Sequence, residues 1–186
     1  MKLKITCGQK FMVVRRNLVG TLALCILLTA CNQVTPKAVA LEPTSETACE
    51  LDGMILKDYP GPKAQIHYAE GKPEFFCDLM ELFSMLLVPE QKRSVTAVFV
   101  QDMGKTPWEN PTGNWIDAKS AVYVVGSKKL GSMGPTFGSF SSMQDAEAFV
   151  NKEGGKIVRF ELITPDMLNK SGDAAHDSTM SHDKAD

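Results

Sequence analysis

The opening of this chain limits most what the rest can become. Its first thirty residues carry Lys2, Lys4, Lys10, Arg15 and Arg16, no acidic residue, and an apolar run from Leu18 to Ala30. A basic start, a short apolar core and small residues before a break make an export signal. The run is shorter than the roughly 20 apolar residues that span a bilayer, which disfavours the alternative of a retained anchor. It ends in Leu28-Thr29-Ala30-Cys31, which looks like a bacterial lipobox: the peptidase cuts before the cysteine, and the thiol carries a diacylglycerol. Each buried methylene contributes about 0.8 kcal/mol, so acylation at Cys31 tethers the mature chain to a membrane. Asn32 after the cysteine, in place of Asp, points to the outer membrane of a Gram-negative bacterium, with the body facing the periplasm. Met12 is a second candidate start.

Cleavage changes the charge. The precursor has 20 basic and 22 acidic residues; loss of the five basic residues of the leader, 1–30, leaves 15 against 22, a net charge of −7. Such a surface excludes nucleic acid as a partner. Of five cysteines, Cys7 and Cys25 leave with the leader and Cys31 is acylated, so only Cys49 and Cys77 are free for chemistry, in a compartment where disulfides form.

Residues 31–46 are small and polar with Pro36 and Pro43, as expected of a flexible spacer, and 169–186 lack an apolar period, as expected of a disordered tail. The span between them suits one domain or two very small ones. A pattern runs through it twice. Met54 to Lys57 is apolar and Ala64 to Ala69 alternates. Phe76, Leu79, Met80, Phe83 and Leu87 then fall at helical spacing before Pro89, and Ser94 to Gln101 is β-branched. In the second half Trp115-Ile116 begins a strand and Ser120 to Val125 makes another. Ser142 caps a helix with Ala146, Phe149 and Val150 inward, and Ile157 to Ile163 follows Gly154-Gly155. The expectation is an α+β protein of two similar small ββαβ lobes in tandem, 47–104 and 105–168.

The chemistry concentrates on sulfur. Thiolate and thioether are soft donors that select copper(I) over harder ions. Cys49 and Met54 flank Asp52-Gly53. An extended chain would hold the two residues roughly 16 Å apart, whereas two sulfurs on one ion lie about 4 Å apart. The segment must therefore fold back, and Asp-Gly supplies the turn. The competing reading makes Met54 a core residue and Cys49 a spare thiol. Met133, between Gly131-Ser132 and Gly134-Pro135, is poorly placed to fill a core and suits a mobile soft ligand; alternatively it tucks under its own loop. Asp52 and His67 are secondary candidates, able to complete the site or to help hold a second divalent ion such as zinc, although His67, in an alternating stretch, also reads as an ordinary half-buried histidine. Cys77, placed at a helix start that would lower its pKa, is a buried thiol, a further ligand or a disulfide partner of Cys49. His176, Met180 and His182 in the tail could gather metal loosely. With no Gly-x-Ser-x-Gly and one histidine in the folded region, no hydrolytic site is expected.

Cys49-Glu-Leu-Asp-Gly-Met54, followed by Asp58-Tyr-Pro-Gly-Pro-Lys-Ala-Gln-Ile-His67, resembles the nitrous-oxide reductase accessory lipoprotein family, NosL. So do Tyr123 to Ser127, Gly131 to Gly134, Phe140, the helix around Asp145 to Phe149, and Gly154-Gly155. The resemblance implies a periplasm-facing copper(I) chaperone for the copper-sulfur centre of nitrous-oxide reductase. It also implies a two-lobed ββαβ fold akin to part of organomercurial lyase, and contact with the membrane transporter complex that serves the reductase. By that resemblance Cys49, Met54 and Met133 are metal ligands. Many relatives have two cysteines before the Gly-Met; here Glu50, Leu51 and Asp52 fill the interval. Two rival roles are a thiol redox protein using Cys49 and Cys77, and a lipoprotein that docks the maturation machinery without carrying metal.

Overall fold

A computed structural model describes residues 38–87 and 93–168. The export leader, Cys31, Pro89 and the tail with His176, Met180 and His182 lie outside the described residues. Among those described, no helix is long and apolar enough to cross a membrane.

Among the described residues, two larger antiparallel sheets, each with one helix, form most of the fold. The first holds β1 (Ala64–Tyr68), β2 (Glu74–Phe76), β3 (Val95–Gln101) and β4 (Trp115–Asp117) in the order β2-β1-β3-β4. Its helix, α1 (Leu79–Leu86), connects β2 to β3. The second sheet joins β5 (Val122–Val125), β8 (Gly138–Phe140) and β9 (Lys156–Arg159) in the order β8-β5-β9, with α2 (Met143–Glu153) between β8 and β9. A small hairpin, β6 (Leu130–Gly131) and β7 (Gly134–Pro135), interrupts the second half. Each half thus contains strand, strand, helix and strand, with the first of these strands central in its sheet.

The order strand, strand, helix, strand recurs, but not with the strands expected. Phe75 and Phe76, expected at the start of a helix, instead join Glu74 in a strand that pairs antiparallel with Ala64–Ile66. The helix begins only at Leu79 because Asp78 and Glu81 close a capping box: Asp78 Oδ1 accepts from Met80 N at 2.8 Å and Glu81 N at 3.2 Å. Trp115–Asp117, expected to open the second lobe, adds to the first sheet beside β3. Residues 54–58 form no strand; Ile55 makes an isolated bridge to Ala48, and Leu56–Asp58 is a 3₁₀ turn. The Ser142 cap stands as read, with its hydroxyl accepting from Asp145 N at 3.1 Å.

One core serves both halves. Ile66, Phe76, Leu82, Phe83 and Val100 pack with Tyr123, Phe137, Val158 and Ile163. Phe83 meets Tyr123 edge to face at 5.2 Å. Ala146, Phe149 and Val150 close a second cluster with Val122, Val124 and Phe140, as their helical spacing requires. The sheets are also stitched by polar contacts, since the buried Ser139 hydroxyl donates to the Gln101 carbonyl at 2.6 Å.

The expected spacer is ordered sooner than its composition suggested. Leu41 exchanges two hydrogen bonds of 2.9 Å with the Gln65 side chain, Glu42 accepts from Gly113 N and from the Trp115 indole, and Pro43 is buried. A buried glutamine on β1 needs partners for its amide, and the passing backbone supplies them.

Candidate metal centre

Three short segments converge on the site. The first is the loop Cys49–Met54, folded back as the Asp-Gly pair requires. Cys49 N donates to Met54 O at 2.8 Å and Gly53 N to Cys49 O at 3.0 Å, while Asp52 Oδ1 receives Met54 N at 2.9 Å. Gly53 takes φ 76°, a conformation that a side chain would strain. Cys49, Leu56 and Cys77 form a small buried cluster against which the half-buried Met54 packs. Met54 is therefore both a neighbour of the thiols and a packing residue.

The second segment is the junction of β2 and α1, which carries Cys77, Asp78 and Glu81. Edge-strand pairing fixes Cys77 at the end of β2, and the capping box turns Glu81 back towards it. Glu81 Oε2 gathers both thiols, from Cys49 Sγ at 3.0 Å and Cys77 Sγ at 3.0 Å, together with Cys77 N at 3.0 Å and Asp78 N at 3.4 Å. Both cysteines are free and buried, so no disulfide joins them. With Asp52 and Glu81 they form a group of four residues whose ligand atoms all lie within 4.8 Å of one another.

The third segment is the hairpin β6–β7. The Trp108 indole donates to Leu130 O at 2.9 Å. Ser132 Oγ accepts from Cys77 Sγ at 2.9 Å and donates to Asp78 Oδ2 at 2.9 Å. Gly131 lies so close to the capping residue that a Cβ there would meet Asp78 Oδ2 at 3.1 Å. These contacts seat the hairpin on the cluster and leave Met133 at its tip, 69% exposed. Met133 does not tuck under its loop.

The electrostatics separate the two thiols. The contact with Cys77 lowers the pKa of Cys49, against burial and Glu81, which raise it. The same contact, with burial and Glu81, pushes Cys77 up. This reverses the expectation for Cys77: the contact with Cys49 and burial, with Glu81 adding to them, outweigh a helix start. Burial also raises Glu81, and burial lowers the nearby Lys63 to about 8 against the pull of the surrounding anions.

His67 lies apart from these ligand groups. Its Nε2 is 2.8 Å from Gln65 Oε1, and its ring meets Phe99 edge-on at 5.3 Å. Sequence reasoning did not select Glu81 and left Cys77 ambiguous. The signal was legible: Asp78 and Glu81 have capping-box spacing beside a cysteine, which turns the carboxylate back to the thiol.

A family model described as NosL matches residues 40–168. The chain belongs to the NosL family. Among NosL relatives, the copper-binding lipoprotein NosL of Stutzerimonas stutzeri is 36% identical over 170 residues, covering 88% of this chain and 89% of the relative. The copper-binding lipoprotein NosL of Achromobacter cycloclastes is 40% identical over 149 residues, covering 76% and 77%. The crystal structure of the copper chaperone NosL from Shewanella denitrificans matches with a TM-score of 0.67 at 42% identity, covering 71% of this chain and 99% of that one. In this NosL-family chain the second thiol beside Cys49 comes from Cys77, at the start of α1.

Proposed function

We propose that this protein holds a copper(I) ion between Cys49 and Cys77 and passes it on, without turning over a substrate. One observation carries the reading: two reduced, buried thiols converge on a single carboxylate oxygen, with all ligand atoms within 4.8 Å. Two sulfurs bound to one ion at about 2.3 Å each lie at most about 4.6 Å apart, so one ion can bridge them with little rearrangement. Soft donors favour copper(I). Met54 offers a thioether from the packed side of the loop and Met133 one from the exposed hairpin tip, where a ligand can swing towards an acceptor. The copper-binding names of the relatives agree.

The acceptor in this proposal is the maturation machinery of nitrous-oxide reductase, reached through its membrane transporter complex for assembly of the copper-sulfur centre. Cys31 supplies the lipid anchor, at the periplasmic face of the outer membrane. The carboxylates of Asp52 and Glu81 favour a second reading, in which the same cluster takes a divalent ion such as zinc.

Copper(I) titration against a chromogenic competing chelator tests the site. Cys49→Ala and Cys77→Ala should each weaken binding by more than the about 10–100-fold that loss of an outer-shell partner costs. Wild-type affinity in Cys49→Ala ends the copper proposal. Normal assembly of the reductase centre in cells carrying both substitutions would leave only a docking role.

A further inference from the structure

The Lys63 side chain is buried, with the residue 3% exposed. Its ammonium donates to three backbone carbonyls, Tyr59 O at 2.8 Å, Pro60 O at 2.9 Å and Cys77 O at 2.9 Å. That uses all three of its donors. Among the described residues it makes no ion pair. A buried cation held by dipoles alone is costly. The groups whose negative charge, when ionised or metal-bound, acts on it belong to the metal centre and its cap: Cys77, Asp78, Glu81 and Cys49.

We propose that Lys63 determines the specificity of the site, favouring a monovalent over a divalent ion by placing a buried positive charge against the Cys77 backbone. This rests on the reading of the cluster as a copper(I) site. The ammonium attracts the thiolates and carboxylates equally whichever ion they hold, but it repels the ion in proportion to the ion's charge. A divalent ion therefore meets one extra unit of repulsion. Across about 10 Å at an effective dielectric constant of about 20, that corresponds to roughly a tenfold difference in binding constant. Asp52 and Glu81, as oxygen donors, pull the other way, towards divalent ions. The lysine offsets that pull without entering the coordination sphere.

The test compares copper(I) and zinc affinities of the full chain in detergent for wild type, Lys63→Gln, Lys63→Met and Lys63→Arg. Each variant is first shown to be folded by circular dichroism and thermal melting. Gln retains a neutral donor, Met fills the space, and Arg keeps the charge. The zinc-to-copper(I) affinity ratio should rise about tenfold or more in the two neutral variants and stay at the wild-type value in the Arg variant. A purely structural lysine would weaken both ions together and leave the ratio unchanged, which overturns the proposal. Loss of folding in both neutral variants overturns it as well, because the lysine would then serve the fold. Failure of the wild type to bind copper(I) at all is a different result and refutes the copper reading itself.

Discussion

Replacing Glu81 by alanine isolates what the shared carboxylate contributes before any metal arrives. Its Oε2 accepts from Cys77 N at 3.0 Å and Asp78 N at 3.4 Å, and from two thiols at 3.0 Å. Cys77 is fully buried, so its N–H has no solvent to turn to once the acceptor is gone. An orphaned buried donor costs about 1–3 kcal/mol. Loss of the long, weaker half of the capping box adds about 0.5 kcal/mol. Thiols are poor donors and add little, and release of the carboxylate from a desolvating site offsets part of the total. The expected loss is about 2 kcal/mol, or about 6–8 °C in Tm for a domain of this size. Glu81→Gln retains an acceptor oxygen and should lose about half as much. The assay is urea unfolding of the reduced, metal-free protein, followed by tryptophan fluorescence; Trp108, stacked on Phe149 at 5.3 Å, is a buried reporter. If the Glu81→Ala midpoint coincides with wild type, the carboxylate does not join the two cysteine segments and the account of how the site is assembled is wrong.

The two methionines should behave differently. Met133→Ala, at an exposed tip, should leave stability within about 0.5 kcal/mol of wild type while weakening copper(I) binding or slowing its transfer. Met54→Ala should weaken binding and also cost about 1–2 kcal/mol, because Met54 packs against the cysteine cluster; equal melting temperatures for the two variants would contradict the packing described. Gly53→Ala should destabilise by about 1 kcal/mol through strain at φ 76°, and unchanged stability would mean the loop has another conformation in solution. Burial lowers the pKa of His67 below 6.5, so the unfolded chain takes up its proton first as pH falls. Stability from this residue is complete above pH 6.5 and declines as the pH drops through the folded value. His67→Gln should flatten that limb of the pH–stability curve, and an unaltered curve would assign it to other groups.

The α+β class was legible because period and turn chemistry are local properties. Ser142, Ala146, Phe149 and Val150 announced α2 without reference to anything distant. The strand composition was less legible because edge pairing is decided by partners. Phe75-Phe76 reads as the start of a helix until Ala64–Ile66 lies beside it, and Trp115–Asp117 could have joined either sheet until Phe99–Gln101 claimed it. The bend at Cys49–Met54 followed from Asp-Gly alone. The second thiol did not, since no spacing rule links Cys49 to a residue 28 positions later that only a folded sheet and a capped helix bring to its side. Lys63 was invisible for the same reason: its motif is a turn in sequence, and only the fold shows what its ammonium holds.

The docking of Leu41 to Pro43 on the first sheet has a consequence for where this protein can work. With Glu42 clamped to Gly113 and Trp115, the leash from the proposed lipid on Cys31 can be no longer than residues 31–40, where the spacer was expected to run to Glu46. At about 3.3–3.6 Å per residue, such a leash extends no farther than about 35 Å. If Cys31 carries the lipid as proposed, the point where the chain joins the first sheet lies within that distance of the lipid surface, and an acceptor of the proposed ion has to meet a body attached there.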